Sequence, residues 1–353
     1  MQNKRREFLR MGTGAIAATV AGTAGLLSWV PRALAQTIAV SLTAMKGDVT
    51  QIDGTTAFMF GFSNTGLITV PGPTIICQAG DTIALTVSNA LNTPVVFAVP
   101  GTSIQLTVAA RGTMQISFAA PAPGSYLYCD TQNSGVHRVM GLHGSLVVMP
   151  AKTTTGTAIK NQAFAGGPTF TRQYKWLLGN VDPVWGATVK TSGDAAVTTI
   201  VPASFQPRYF TINGNSFNRT HEPNTDLHGH YGEPALVRLM NAGGMVHSPH
   251  FHGNHVEVCS INRQNISSNR KFKDIVSMYP LDCRDVIFPF KRPPDAWPAV
   301  VDEVQNFPMH CHSEMSQTAG GGMYPHGMHC AIAMGGTATV PEPDLTLGVA
   351  RLP

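Results

Sequence analysis

Apolar and polar positions alternate along this chain in short runs broken by turn residues, the pattern of β-strands and not of amphipathic helices. Before residue 150 such runs fall at 37–43, 82–87, 95–99, 113–118 and 144–149, and after it at 174–178, 208–214 and 236–239. Glycine and proline punctuate them densely, with 35 Gly and 25 Pro in 353 residues, and hardly any segment keeps a 3.6-residue period. The pattern predicts an all-β protein. Its length suits two domains of ordinary size, and the spacing repeats: Gly80-Asp81, Leu85-Thr86-Val87 and Asn89 are echoed by Gly232-Glu233, Leu236-Val237-Arg238-Leu239 and Asn241. We expect two sandwiches of one design, residues 36–150 and 171–353, joined by a Thr-, Gly- and Ala-rich linker at 151–170.

The first 35 residues depart from this pattern. Lys4-Arg5-Arg6-Glu7-Phe8-Leu9-Arg10 precedes a weakly apolar run at 12–30 and then Ala33-Leu34-Ala35. The run is too rich in Gly, Ala and Thr to span a membrane, and the paired arginines match a twin-arginine export signal. Delivery to the periplasm, with a mature chain starting near Gln36 and no membrane span, is expected. The five cations and one anion of this segment account for the formal charge of +4. The rest is near neutral, charged residues are 12% of the chain, and no basic run follows. A nucleic-acid or anionic-membrane partner is therefore not indicated. In an oxidising compartment disulfides persist. Cys77 with Cys129 and Cys259 with Cys283 are the pairings that position suggests, Cys311 being reserved for metal.

Two stretches concentrate the chemistry: His247-Ser248-Pro249-His250-Phe251-His252-Gly253 and Met309-His310-Cys311-His312. On a strand successive side chains point to opposite faces, so His250 and His252 share one face, His310 and His312 another, and Cys311 points away from its neighbours. Paired imidazoles hold borderline metal ions, whereas a lone thiolate with a further imidazole such as His247 suits an electron-transfer copper. A set of buried, hydrogen-bonded histidines is the plain alternative.

The motif pair resembles the multicopper oxidases, which are built from cupredoxin domains. The resemblance implies two cupredoxin-like Greek-key sandwiches with copper as cofactor. It makes His247 and Cys311 ligands of a type 1 copper, His250 a type 2 ligand, and His252, His310 and His312 type 3 ligands. An intense thiolate-to-copper absorption that depends on Cys311 is implied as well. Pro71-Gly72-Pro73-Thr74-Ile75, Gly124-Ser125-Tyr126-Leu127-Tyr128 and Gly141-Leu142-His143-Gly144 carry the resemblance into the first domain.

There the ligands stop. Where the family has its first His-x-His-Gly this chain reads Val95-Val96-Phe97-Ala98-Val99-Pro100-Gly101, and for His-x-His it has Cys129-Asp130-Thr131. The family's trinuclear cluster takes eight histidines, four from each contributing domain, and only the second-domain four are present. Cys129, His137 and Leu142 resemble a type 1 loop that no upstream histidine completes. In the second domain the family's histidine five residues after the cysteine is Ser316, and its axial residue is Gly321. The second imidazole is then expected from the longer loop, with His326 and Met328 as the pair and Met315, Met323 and His329 as substitutes. His221, His228 and His230 form a further group read as a solvated loop, or as an auxiliary copper-acquisition site.

Two functions follow. One is a periplasmic copper-binding oxidoreductase of the multicopper-oxidase type, in which electrons from a small molecule, metal ion or redox protein enter at the Cys311 copper and pass to His310 and His312. The other is a non-enzymatic copper carrier or blue electron-transfer protein. Related two-domain proteins assemble as homotrimers, so a homotrimer or a hetero-partner is expected.

Overall fold

The computed structural model describes residues 35–156, 161–266, 268–294 and 303–335. The expected export signal, the middle of the expected linker, part of the Pro-rich stretch before the His-Cys-His strand and the C-terminal end of the second domain lie outside these residues.

The chain forms two β-sandwiches, as the alternating pattern predicted. The first is built from β1 (Thr37–Thr50), β2 (Thr56–Ser63), β3 (Ile75–Gln78), β4 (Thr82–Asn89), β5 (Val95–Ala98), β6 (Gln105–Val108), β7 (Thr113–Ala119), β8 (Gly124–Cys129) and β9 (His143–Met149). The second uses β10 (Arg172–Val181), β11 (Tyr209–Ile212), β12 (Leu227–Gly229), β13 (Ala235–Asn241), β14 (Pro249–Phe251), β15 (Val256–Ile261), β16 (Gln264–Asn265), β17 (Lys271–Lys273), β18 (Cys283–Phe288), β19 (Val304–Cys311) and β20 (His329–Gly335).

The two sandwiches repeat one topology. The order β2-β1-β4-β7 in the first matches β11-β10-β13-β18 in the second, each with its central pair parallel and its outer pairs antiparallel. The facing sheets, β3-β9-β8-β5 and β12-β20-β19-β14, match in the same way.

Stacking of the four sheets positions the site. In β4 every second side chain is buried, because one face lies on the core and the other meets solvent. β8 and β9 are buried on both faces. Tyr126, Tyr128, Leu146 and Val148 fill the first core, whereas Leu127 packs with Leu177, Met240, Ala242 and Cys283 of the second sandwich. A buried polar set closes the same junction: Ser125 donates to Asp285 Oδ1 at 2.5 Å, and Arg238 Nη1 lies 3.5 Å from the same oxygen. The sheet containing β8 and β9 is thus covered by that of β10, β13 and β18. Its counterpart in the second domain, β12-β20-β19-β14, has no other sheet of the chain stacked over its outer face among the described residues.

The second domain also completes the first core. Helix Pro183–Ser192 starts with Pro183 behind Asp182, whose side chain accepts from the backbone N of Val184 and Trp185. It inserts Trp185 and Val189 into that core beside Phe205. Trp185→Ala should cost about 3–5 kcal/mol, read as a lower urea midpoint.

All six cysteines are free and buried, so neither expected disulfide is present. β9 lies between β3 and β8, and Cys77 is level with Val148 and Gly124, so Cys129 is set off from it by two strand spacings, about 9–10 Å, and by five residues along the strand as well. That is beyond bridging reach. The backbone N of Asn262 donates to the carbonyl of Cys283, so Cys283 faces Asn262, three residues on from Cys259. The Cys259 thiol donates instead to the Asp285 carbonyl at 3.0 Å.

Candidate metal centre

Four of the expected ligands lie together on the outer face of the β12-β20-β19-β14 sheet. β14 and β19 run antiparallel with His250 opposite His310, and alternation brings His252 and His312, each two residues on, to the same side. The centroid of the His250 ring is 4.5 Å from that of His252, 5.3 Å from His310 and 5.5 Å from His312. Nε2 of His252 lies 3.2 Å from Nε2 of His310. One ring nitrogen from each of His250, His252 and His310 falls within 4.8 Å of the other two, the one such group among the described residues. His312 stands exposed at its rim. Burial, reinforced by the neighbouring imidazoles, holds His252 and His310 below the usual histidine range. Neutral, closely spaced lone pairs are what a borderline metal ion takes.

Cys311 points the other way, into the second core. His247 is fully buried next to it. Asn180 Nδ2 lies 3.0 Å from His247 Nε2 and donates to it, turning Nδ1 toward Ser316 Oγ at 3.0 Å and Cys311 Sγ at 3.8 Å. Burial pushes His247 down to about 3. The backbone N of Ser248 donates to Sγ at 3.2 Å, a contact of the kind that tunes a thiolate ligand. Met328 is buried in the same core, and its carbonyl accepts from the backbone N of Cys311 at 3.0 Å.

His326 does not join them. It is exposed, its ring stacked on Phe217 at 5.6 Å and 11°, and it folds over Gly322, where an added Cβ would meet Nδ1 at 2.1 Å. The loop explains the difference. A 3-10 helix at Glu314–Gln317 turns Ser316 inward, and the carbonyls of Ser316 and Gln317 accept from the backbone N of Met328 and Gly327. Residue 326 is thereby left on the outer side, and Ser316, 0% exposed, occupies the ground beside Nδ1 of His247. Met315 and Met323 are exposed as well.

Register aligns the first domain on the second. Ala98 pairs with Cys129 as His250 pairs with His310, each facing away from its own core. Ala98, Pro100, Cys129 and Thr131 therefore stand at the positions of His250, His252, His310 and His312, and Val95 and Asp130 at those of His247 and Cys311. Burial pushes the Cys129 thiol up to about 12, unfavourable for a thiolate ligand. His137 lies against Asp130 at 3.2 Å, and the same carboxylate accepts from the backbone N of Val96.

Residues 47–153 match the family model described as multicopper oxidase. The first domain is a multicopper oxidase domain. No curated protein matches the chain. Among solved structures it is similar to a blue copper oxidase from Nitrosomonas europaea, at 20% identity over 85% of this chain and 86% of that one, with a TM-score of 0.67. It is also similar to the multicopper oxidase mgLAC, at 23% identity over 88% and 89% with a TM-score of 0.66. The copper nitrite reductase of N. europaea follows at 18% identity over 84% and 94%, with a TM-score of 0.59. At these identities the likeness is one of fold, and that fold is cupredoxin-like in both halves.

The residues present fit copper as a cofactor. The donors are imidazoles, which suit copper, and Nδ1 of His250 is buried without a hydrogen-bond partner. In this multicopper oxidase domain the ligand positions hold other residues, whereas the topological repeat that follows keeps them. One histidine at this face was not foreseen there. β20 opens with His329 directly opposite His310, so His250, His310 and His329 form one row across three strands. The signal was the correspondence of Gly327-Met328-His329-Cys330 with Gly141-Leu142-His143-Gly144, which gives His329 the same outward position as His143. His228 and His230, the other auxiliary histidines, join no group of three ligands among the described residues.

Proposed function

We propose that this is an exported copper-binding oxidoreductase of the multicopper-oxidase type, oxidising a reductant one electron at a time at the outward histidine face of its second domain. The observation that carries this reading is the convergence of His250, His252 and His310 within 4.8 Å. Bound copper supplies the one-electron redox chemistry. His250, His252 and His310 hold it, and His312 stands at the open rim where a small molecule, a metal ion or a redox protein has access. Asn180 and the Ser248 amide orient His247 and Cys311 behind that face, and the His310-Cys311-His312 backbone joins the buried thiol to the exposed imidazoles. The basic, weakly apolar first 35 residues support delivery to the periplasm. Assembly as a homotrimer, or with a hetero-partner, is supported by the uncovered outer face of the β12-β20-β19-β14 sheet, whose counterpart is covered within the chain.

The copper-carrier reading is favoured by one observation, the buried Ser316 beside His247, which leaves the type 1 position without its second imidazole. Copper counting with anaerobic reduction and reoxidation by oxygen separates the two. Repeated turnover supports the oxidoreductase, and copper that passes to a competing chelator with no turnover supports the carrier. In either case His252→Ala should weaken copper binding, about 10-fold or more, since one of three direct ligands is lost and even an outer partner is worth that much. Unchanged affinity in a competition titration would remove this face from the copper.

A further inference from the structure

We propose that His329 and His221 form a second metal-binding pair, for a borderline first-row ion such as Cu(II), beside the His250-His252-His310 group and distinct from it. The inference does not depend on the redox reading above. His329 extends the row of outward imidazoles by one strand, because β20 pairs with β19 through His310 opposite His329. Its Nδ1 is buried and has no hydrogen-bond partner. The topologically equivalent imidazole, His143, has its Nδ1 2.7 Å from the carbonyl of Arg138 and donates to it. One position of the repeat thus holds a satisfied structural histidine and the other an imidazole with an open nitrogen.

His221 stands next to it. The two ring centroids are 5.6 Å apart, and Phe217 lies 5.9 Å from His221 and 5.6 Å from His329, walling the pair from one side. Nδ1 of His221 lies 3.1 Å from Asp226 Oδ2. Donation there leaves Nε2 as the nitrogen with the free lone pair. Asp226 Oδ1 in turn accepts from the backbone N of Ala331 at 2.7 Å. The carboxylate therefore ties the His221 ring to the strand that carries His329. A carboxylate on the far nitrogen of an imidazole is the usual support of a metal-ligating histidine, setting its tautomer and raising its basicity. The pair offers two nitrogens and leaves the remaining coordination positions to water or substrate. Such a donor set suits borderline ions, with copper favoured among the divalent first-row metals.

The test uses the whole chain, stripped of metal and dialysed against Cu(II), with bound ions counted and affinities taken from competition with a chelator. His221→Ala and His329→Asn should each bind one ion per chain fewer than the parent protein. Asp226→Asn should keep the count and weaken the affinity of that ion about 10- to 100-fold. Lys190→Ala, an exposed change that pairs with Asp48 and touches neither histidine group, should leave both quantities unchanged. In His252→Ala the ion of the pair should survive while binding at the three-histidine group fails. If His221→Ala binds the parental number of ions with parental affinity, or if His252→Ala also removes the ion assigned to the pair, the proposal is overturned. His221 is about one-third exposed, so its variant carries the test should His329→Asn unfold.

Discussion

Ser316→His should turn the copper-loaded protein from weakly coloured to intensely blue. A blue-copper band needs a trigonal set of two imidazoles and one thiolate around the ion, and the parent chain presents one imidazole, His247, and one thiol, Cys311. Ser316 fills the remaining place: its hydroxyl lies 3.0 Å from His247 Nδ1, which itself lies 3.8 Å from Cys311 Sγ. The backbone there is already fixed, since the Ser316 carbonyl accepts from Met328 N at 2.7 Å. The new imidazole would enter a formed site with Met328 buried nearby. Enlarging a fully buried side chain costs about 1–3 kcal/mol, so a modest fall in melting temperature should accompany the colour. Visible spectra of four proteins check the argument: parent, Ser316→His, Ser316→His with Cys311→Ser, and His326→Ala. Colour should appear only in the second. An intense band in the parent protein that His326→Ala bleaches would return His326 to the copper and sink the assignment of Ser316.

Much of this was legible in the chain because it rests on alternation. The period-two runs announced strands, the repeated Gly-Asp/Glu and Asn spacing announced the duplicated sandwich, and His-x-His on either side of Cys311 announced an outward pair with an inward thiol. All of these are local consequences of a pleated backbone. Features that depend on a loop returning to the sheet were not legible. Spacing alone offered His326 for the copper after a rigid Pro325. What decides the matter is which residue the 3-10 turn at Glu314–Gln317 swings inward, and the hydrogen bonds from Gly327 and Met328 fix that only once the loop has closed. His329 was named only as a substitute for His326, and its place in the outward row was missed for a related reason. Its neighbours His310 and His221 come from a separate strand and a distant loop, so only the register of β19 on β20 reveals the row. The disulfides failed on the same ground, because strand order, and not spacing along the chain, separates Cys77 from Cys129.

In metal-free protein, acidification from pH 7.5 to pH 4.5 should remove about 5 kcal/mol of stability through the two most deeply buried of the histidines that burial keeps neutral. His247 is buried among Asn180, Ser316 and Cys311, and burial lowers it to about 3. His143 is buried between the sandwiches; burial is the main cause that takes it to about 4, with the Arg138 and Lys175 charges adding to it against the opposing Arg138 carbonyl. In the unfolded chain both titrate near the ordinary value of about 6.5. Below that pH the unfolded state binds protons that the folded state refuses. The stability these groups contribute is therefore present above about pH 6.5 and is lost as pH falls toward their folded values. At pH 4.5 the linkage is worth about 2.5 kcal/mol for each group at 1.36 kcal/mol per unit. Against a typical total of about 5–15 kcal/mol, a loss of that size brings the apo-protein close to its midpoint. Lowered carboxylates such as Asp274 and Asp282 act below about pH 4 and do not enter this window. Urea unfolding at pH 7.5 and pH 4.5 measures the effect. His247→Leu should show a clearly smaller fall than the parent, the rest belonging to His143 and, in smaller shares, to the less buried His252, His310 and His329, which burial also lowers. A parent midpoint that does not move between the two pH values would mean that both imidazoles are protonated within the fold, and that the burial described for them is relieved in solution.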